Sequence, residues 1–167
     1  MKKKVYVLDT SALIGGFSPA TTEIEQVTIE PVLNEVKDEI LRSKIDTAVL
    51  MKRVKLLNPS LRAVSTIQRK IKRTGDSISE TDVGLLALAL DMKRRGKLPE
   101  IVTDDYGIQN VAGVLGIPCR AVLTPGIKKL FRWRVVCPAC GRKYRRPAIR
   151  CEVCGSKLRR VPENLGS

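Results

Sequence analysis

Val5-Tyr6-Val7-Leu8-Asp9-Thr10-Ser11-Ala12-Leu13-Ile14 is the stretch that decides the fold. Val5 to Leu8 is a short apolar run whose Tyr and two Val favour a strand. It stops at a carboxylate, Asp9, followed by two hydroxyls, Thr10 and Ser11. An open α/β sheet presents ligand-binding groups at the carboxyl edge of its strands in this way. The plainer reading makes Asp9 a cap for the next turn or helix. Which reading holds depends on whether the rest of the chain supplies partners for Asp9.

Working outward, Gly15 to Pro19 reads as a loop and Gln26 to Ile29 as a second strand. Pro31 suits the first turn of a helix. Val32, Leu33, Val36 and Ile40 then form an apolar stripe with Glu35 at its flank. Ser43 to Val54 reads as another helix, with Ile45, Val49 and Val54 inward, and Lys55 to Leu57 as a strand. Ser60 offers a cap for a basic helix over Leu61 to Arg73, closed by Gly75 and Asp76. Ser79 caps the clearest helix, in which Leu85, Leu86, Leu88, Ala89 and Met92 face inward and Asp82 stands in the first turn. Glu80 is a further acid there, read as a capping residue. Glu100 to Thr103 is a strand ending in Asp104 and Asp105. A helix from Tyr106 to Leu115 and a strand from Pro118 to Val122 follow, and Cys119 in that strand reads as a small core residue. Strands and helices alternate throughout, which predicts βαβ units and a mostly parallel sheet flanked by helices.

The 167 residues suffice for one ordinary domain and a small appendage. Four segments are expected: a main domain at 1–123, a basic linker at 124–134, a cysteine module at 135–160 and a flexible tail at 161–167. Apolar runs fall well short of the ~20 residues that cross a bilayer, and no signal-like segment follows the charged start. A soluble, cytoplasmic protein with no membrane partner and no small-molecule cofactor is expected. The net charge is +14, of which residues 128–167 carry +10. Such asymmetry points to a polyanion, most often nucleic acid. There is no histidine, so no mechanism can use an imidazole base.

Four of the five cysteines read C-x2-C and C-x2-C, at Cys137, Cys140, Cys151 and Cys154, with Gly141 and Gly155 directly after each pair. Two thiolates from each tight turn complete a tetrahedral structural Zn2+ site. Ligation is favoured over disulfides because nothing else in the chain looks secreted. A short module with few apolar residues needs such a staple. Its RNA-binding candidates are Lys128, Lys129, Arg132, Trp133 and Arg134 before the first pair, Arg142, Lys143, Tyr144, Arg145 and Arg146 between the pairs, and Arg150 just before the second. Cations interleaved with aromatics grip phosphates and stack on bases.

In a parallel sheet, strand ends and helix starts meet at one edge. Asp9, Asp82 and Asp104 or Asp105 can therefore converge, with Glu35 nearby. Clustered carboxylates repel unless a divalent cation neutralises them, and oxygen-only ligands select Mg2+ or Mn2+.

Taken together, V-L-D-T-S-A-L-I, the Glu35-Val36 helix, S-E-T-D-V-G-L-L-A-L-A and T-D-D-Y-G-I-Q-N-V-A resemble a PIN domain, a metal-dependent ribonuclease fold. With the zinc ribbon, the chain is similar to the Nob family of pre-ribosomal RNA endonucleases. The resemblance implies four or five parallel strands. It implies Mg2+- or Mn2+-dependent cleavage that forms the mature 3′ end of small-subunit rRNA on a pre-ribosomal particle. By position, Asp9, Glu35, Asp82 and Asp105 match the acidic set, with Asp9, Asp82 and Asp105 as metal ligands. Asp105 is preferred to Asp104 because the family pattern reads T-x-D before an aromatic. Thr10, Ser11, Thr103 and Asp104 are supporting residues. A non-catalytic RNA-binding assembly factor is the alternative. A stand-alone ribonuclease toxin fits the appended zinc module less well, and a zinc-ribbon transcription factor leaves the acids unexplained.

Overall fold

The computed structural model describes residues 2–15, 17, 23–127, 129–144 and 148–164. Its centre is β1 (Lys4–Leu8), whose Val5, Val7 and Leu8 are fully buried. Parallel neighbours lie on both sides, β2 (Glu25–Thr28) and β4 (Leu98–Val102). β3 (Val54–Leu56) and β5 (Cys119–Arg120) complete five parallel strands in the order β3-β2-β1-β4-β5. This is the mostly parallel sheet that the alternating pattern predicts. With β1 and β4 adjacent and in register from Lys4↔Leu98 to Leu8↔Val102, their carboxyl ends lie side by side. Asp9 and Thr103 each follow one of those ends.

Six helices are described: α1 (Thr10–Ile14), α2 (Glu30–Glu35), α3 (Glu39–Leu50), α4 (Leu61–Thr74), α5 (Glu80–Arg94) and α6 (Tyr106–Val114). α5 carries the deepest core, with Leu85 to Met92 buried throughout. Ser60 caps α4 as expected, and its hydroxyl accepts the Ala63 amide. Gly75 ends α4 in the left-handed region at φ 73°. A side chain there would meet Trp133, whose Cβ lies 3.2 Å from the position of an added Cβ.

Several boundaries differ from the sequence reading. The Val32-to-Ile40 stripe is not one helix. The chain turns extended at Val36 (φ −75°, ψ 108°), and α3 restarts because the Asp38 carboxylate accepts the Leu41 amide. Val36 is therefore buried while Ile40 is exposed. Val54 is buried as a strand residue, not as the end of a helix. Of the loop at Gly15 to Pro19, only Gly15 and Phe17 are among the described residues.

The second unit is a three-stranded antiparallel sheet in the order β7-β6-β8, formed by β6 (Phe131–Val136), β7 (Lys143–Tyr144) and β8 (Arg159–Asn164). β6 begins at Phe131, inside the stretch expected as a linker at 124–134, and β8 runs from Arg159 to Asn164, overlapping the start of the tail expected at 161–167; it pairs with β6 over six residues. Pro162 argues against a strand in sequence, but β8 is an edge strand, where the missing donor costs nothing. Residues 165–167 of the expected tail lie outside the described residues. Among the described residues, no helix is long and apolar enough to cross a membrane.

Candidate active site and metal centre

The first acid ends β1. Asp9 occupies the cap position of α1 but makes no side-chain capping bond. Its Oδ2 instead accepts two hydroxyls, Ser11 Oγ at 2.8 Å and Thr103 Oγ1 at 2.7 Å. Both hydroxyls also take a backbone amide from the loop after β4: Asp104 N–H donates to Ser11 Oγ at 3.0 Å and Asp105 N–H to Thr103 Oγ1 at 3.0 Å. Two side chains thus staple the end of β1 to the end of β4. Thr103 is fully buried and Asp9 is 5% exposed, so water does not compete for these bonds.

The other acids arrive on helix starts. Asp82 forms a capping box: its Oδ2 accepts the Ser79 amide at 3.2 Å, and Ser79 Oγ accepts the Asp82 amide at 3.1 Å. Asp82, not Glu80, is the capping acid, and Glu80 is exposed in the same turn. Asp105 caps α6, its Oδ1 accepting the Ile108 amide at 2.9 Å. Glu35, exposed at the last position of α2, accepts Thr10 Oγ1 at 2.7 Å through Oε2. Burial pushes the Asp82 carboxyl above its ordinary range. The Ser79 hydrogen bonds oppose that shift, and the neighbouring charges of Asp9 and Asp105 reinforce it. Asp9, Asp82 and Asp105 therefore sense one another, as a shared site requires.

Each of these three carboxylates keeps one oxygen uncommitted: Oδ1 of Asp9, Oδ1 of Asp82 and Oδ2 of Asp105. Among the described residues, no donor reaches those oxygens and no Lys or Arg pairs with the three acids or with Glu35. Anions that sense one another and, among the described residues, have no cation paired with them form a donor set that a hard divalent ion fits. The carboxylates are looser than the sulfurs described below. Among the described residues, only the cysteines bring three or more ligand atoms within 4.8 Å of one another.

Asp104 is not part of this cluster. It accepts the amides of Val122 (3.0 Å), Leu123 (3.1 Å) and Thr124 (2.9 Å) and the Thr124 hydroxyl (2.9 Å). Burial alone would raise its carboxyl, but these donors hold it below the ordinary range. It clamps the loop after β5. Cys119 is half-buried against the core, and burial, with Glu100 nearby, pushes its thiol up to about 12. That suits an inert packing residue.

The four remaining cysteines converge in the second unit. Their sulfurs all lie within 4.8 Å of one another, with Cys137 and Cys154 at 3.4 Å and Cys140 and Cys151 at 3.5 Å. Each knuckle closes on its glycine, Gly141 N–H to Cys137 O and Gly155 N–H to Cys151 O, with φ of 74° and 70°. The Tyr144 hydroxyl donates to Cys151 Sγ at 3.1 Å and, with the Cys154 amide next, pulls that thiol down to about 6. This is a four-sulfur cage, the form of a zinc ribbon.

The basic candidates divide. Period-two alternation and the β6–β8 register put Arg132, Arg134 and Arg159 on one face, with Lys143 added by β7. The Arg134 hydrogen bond, with Lys143 and Arg132 close by, lowers the Glu163 carboxyl. Lys129, Arg142 and Arg150 are exposed, and Arg150 donates to Gly155 O. Lys128, Arg145 and Arg146 lie outside the described residues. The two aromatics are committed elsewhere. Tyr144 serves the cysteine cage. The Trp133 indole donates to Asp76 Oδ1 at 3.2 Å, packs edge-on against Phe131 and is covered by the Arg160 guanidinium at 5.1 Å.

Sequence reasoning missed the joint between the units. Asp76, read as a helix terminator, is buried and accepts both Trp133 Nε1 and Asn110 Nδ2. Asn110 also pairs with Phe131 through both backbone groups. Gln109 donates to Thr103 O and accepts the Ile127 amide. The available signal was the polar pair Gln109-Asn110 on an otherwise apolar helix, since buried polar groups need partners.

Comparison with known proteins adds a family match and three relatives. Residues 6–92 match the family model described as the PIN domain of ribonuclease. The chain is 38% identical over 141 residues to Endoribonuclease Nob1 of Pyrococcus abyssi, covering 83% of this chain and 81% of that protein. It is 36% identical over 141 residues to Endoribonuclease Nob1 of Methanocaldococcus jannaschii (84% and 68%). It is also 32% identical over 145 residues to Ribonuclease VapC1 of Thermoplasma acidophilum (86% and 71%).

Proposed function

The chain belongs to the Nob1 family of PIN-domain endoribonucleases, and from that membership and its site we propose that it hydrolyses a phosphodiester in precursor small-subunit rRNA. The product is the mature 3′ end of that RNA, formed on a pre-ribosomal particle in the cytoplasm. The observation that carries the reading is the uncommitted oxygen on each of Asp9, Asp82 and Asp105, at one edge of the sheet and without a cation among the described residues.

Those three acids would hold Mg2+ or Mn2+, with Glu35 beside them. When bound, such an ion supplies an activated water and neutralises charge on the phosphate. The chain's own part is positional. Thr103 and Ser11 fix the Asp9 carboxylate through Oδ2 and leave Oδ1 free. The capping bonds fix Asp82 and Asp105 in the same manner. Thr10 orients Glu35, so the hydroxyls act as supports. Thr10 and Ser11 are not nucleophiles, because the chain has no histidine to activate them. In the second unit Cys137, Cys140, Cys151 and Cys154 would hold a structural Zn2+. The face carrying Arg132, Arg134 and Lys143 then binds RNA phosphates, with Lys129, Arg142 and Arg150 exposed nearby.

The test is cleavage of a precursor rRNA fragment with each divalent ion, wild type beside Asp9→Asn. Cleavage that needs Mn2+ or Mg2+ and is lost in Asp9→Asn while RNA binding persists is the expected result. Ion-independent cleavage, or full activity in Asp9→Asn, refutes the assignment. No cleavage by the wild type with any ion leaves the binding-only reading.

A further inference from the structure

With Trp133 and Tyr144 committed to internal contacts, the ribbon offers no open aromatic face at either position for an RNA base. A different path to the acids is built into the joint between the units. A groove of about 1020 Å3 lies between the end of α4 and the ribbon sheet, lined by Lys72, Arg73, Trp133 and Arg160 among others. Lys72, Arg73 and Arg160 are its cations on the Trp133 side of the ribbon sheet; Arg132 and Arg134 border it but alternate to the other face. Its one acid, Asp76, is buried and occupied by Asn110 and Trp133. Lys72 and Arg73 are exposed and, among the described residues, pair with no carboxylate.

The groove continues. A second hollow of about 390 Å3 shares Asp76, Trp133 and Arg160 with it and runs on to Ser77, Tyr106 and Gly107. That end adjoins the acids, since a Cβ added at Gly107 would stand 3.0 Å from Asp105 Oδ1. Tyr106 is 46% exposed. Among the described residues, its ring meets no other aromatic or cation and its hydroxyl makes no hydrogen bond.

We propose that this continuous track seats a single-stranded RNA segment: Lys72 and Arg73 hold its phosphates, and Tyr106 stacks on a base beside the bond that is cut. The location of that bond rests on the nuclease reading of the acids. Charge complementarity names a polyanion, and an unpartnered ring at the far end selects unpaired bases, since only these expose a face for stacking. α4 and Tyr106 belong to the nuclease unit, so the binding surface spans both units.

The experiment measures binding of a short labelled single strand to the zinc-loaded full chain across a salt series, with no other divalent ion added. Each phosphate contact on a single strand contributes about −0.7 to the slope of log affinity against log salt. Lys72→Ala with Arg73→Ala should make the slope shallower by about 1.4. Stacking on one base is worth about 1–3 kcal/mol, so Tyr106→Leu should weaken binding roughly 5- to 150-fold, and Tyr106→Phe should bind as wild type does. Lys52→Ala with Arg53→Ala, just before β3 at the opposite edge of the sheet, should change nothing. An unchanged slope in the α4 variant together with wild-type affinity in Tyr106→Leu overturns the proposal. So does equal affinity for a duplex of the same sequence. If the wild type cuts RNA and these variants bind and cut as it does, only the track falls. If the binding losses appear but the wild type makes no cut, with an ion supplied or withheld, the track stands and the nuclease reading falls.

Discussion

Thr103→Val removes one hydroxyl and keeps the shape of the side chain. That hydroxyl donates to Asp9 Oδ2 at 2.7 Å and accepts the Asp105 amide at 3.0 Å, so its loss disturbs two proposed ligands at once. A hydrogen bond to a charged group is worth about 1.5–3 kcal/mol, and a buried amide left unpaired costs about 1–3 kcal/mol. Thr103 is fully buried, so solvent does not restore either bond. The two terms share one atom and do not simply add; a total of about 2–4 kcal/mol follows, against a native stability of about 5–15 kcal/mol. The melting temperature should fall by roughly 5–15 °C. Groups that orient ligands typically change metal affinity by about 10–100-fold. The assay is RNA cleavage as a function of Mn2+ concentration. Half-saturation should move up by that factor, with much of the rate recovered at high Mn2+. Thr103→Ser, which keeps the hydroxyl, should restore most of the wild-type curve. A Thr103→Val protein that melts with wild type and needs no more Mn2+ would refute the reasoning.

Three further outcomes are expected. Purified protein should carry one Zn2+ per chain by metal analysis, and Cys151→Ser should release it and abolish the β6–β8 strand signal in circular dichroism; a folded ribbon without metal would contradict the cage. Trp133 is the chain's one tryptophan, so Asp76→Ala, which frees its indole N–H, should red-shift the emission and cost about 1–3 kcal/mol; unmoved emission would deny the joint. Burial raises the Glu100 carboxyl, but the ion pair with Lys4 and the hydrogen bond from Arg120 outweigh it and hold the group below its ordinary 4.5. A lowered acid stabilises the fold above its unfolded value and loses that contribution as pH falls through the folded one. The stability gap between wild type and Glu100→Gln should therefore be level above about pH 5 and close in acid. A gap that widens in acid would reverse the sign.

The sheet was legible because β1 is a short apolar run and strand-like stretches alternate with helical patterns along the chain. α4 and α5 were legible because Ser60 and Ser79 are caps of the expected kind. α2 was misread because its apolar stripe continues through Val36 to Ile40, and only the capping bond of Asp38 shows where the helix restarts. β8 was not legible because Arg-Arg-Val-Pro-Glu-Asn lacks a strand's composition; its pairing is supplied by the open edge of β6, a tertiary fact. The cysteine cage was fully legible, since spacing alone dictates it. The aromatics of the ribbon were not. Nothing in the composition tells a stacking platform from a residue whose donor is taken by Asp76 or by a cysteine sulfur.

A helix-capping role and a ligand role, weighed against each other in sequence for Asp9 and Asp82, do not exclude each other in geometry. Asp82 and Asp105 both cap helices and both leave an oxygen free. A capping bond engages one carboxylate oxygen and fixes the plane of the group, which is the preorganisation a ligand needs. Asp9 reaches the same state by another route, with two hydroxyls in place of amides. The arrangement also bears on the joint between the units. Asp76, bonded to Trp133, is three residues from Ser79, whose hydroxyl and amide hold Asp82. Only Ser77 and Ile78 separate Asp76 from the Ser79 cap, so a displacement of the ribbon that pulls on Asp76 should reach the group that orients Asp82. Loss of the Trp133 contact should therefore lower cleavage at fixed Mn2+ more than it lowers RNA binding. A rate loss that merely tracks the loss of binding would mean that the ribbon holds RNA without bearing on the site.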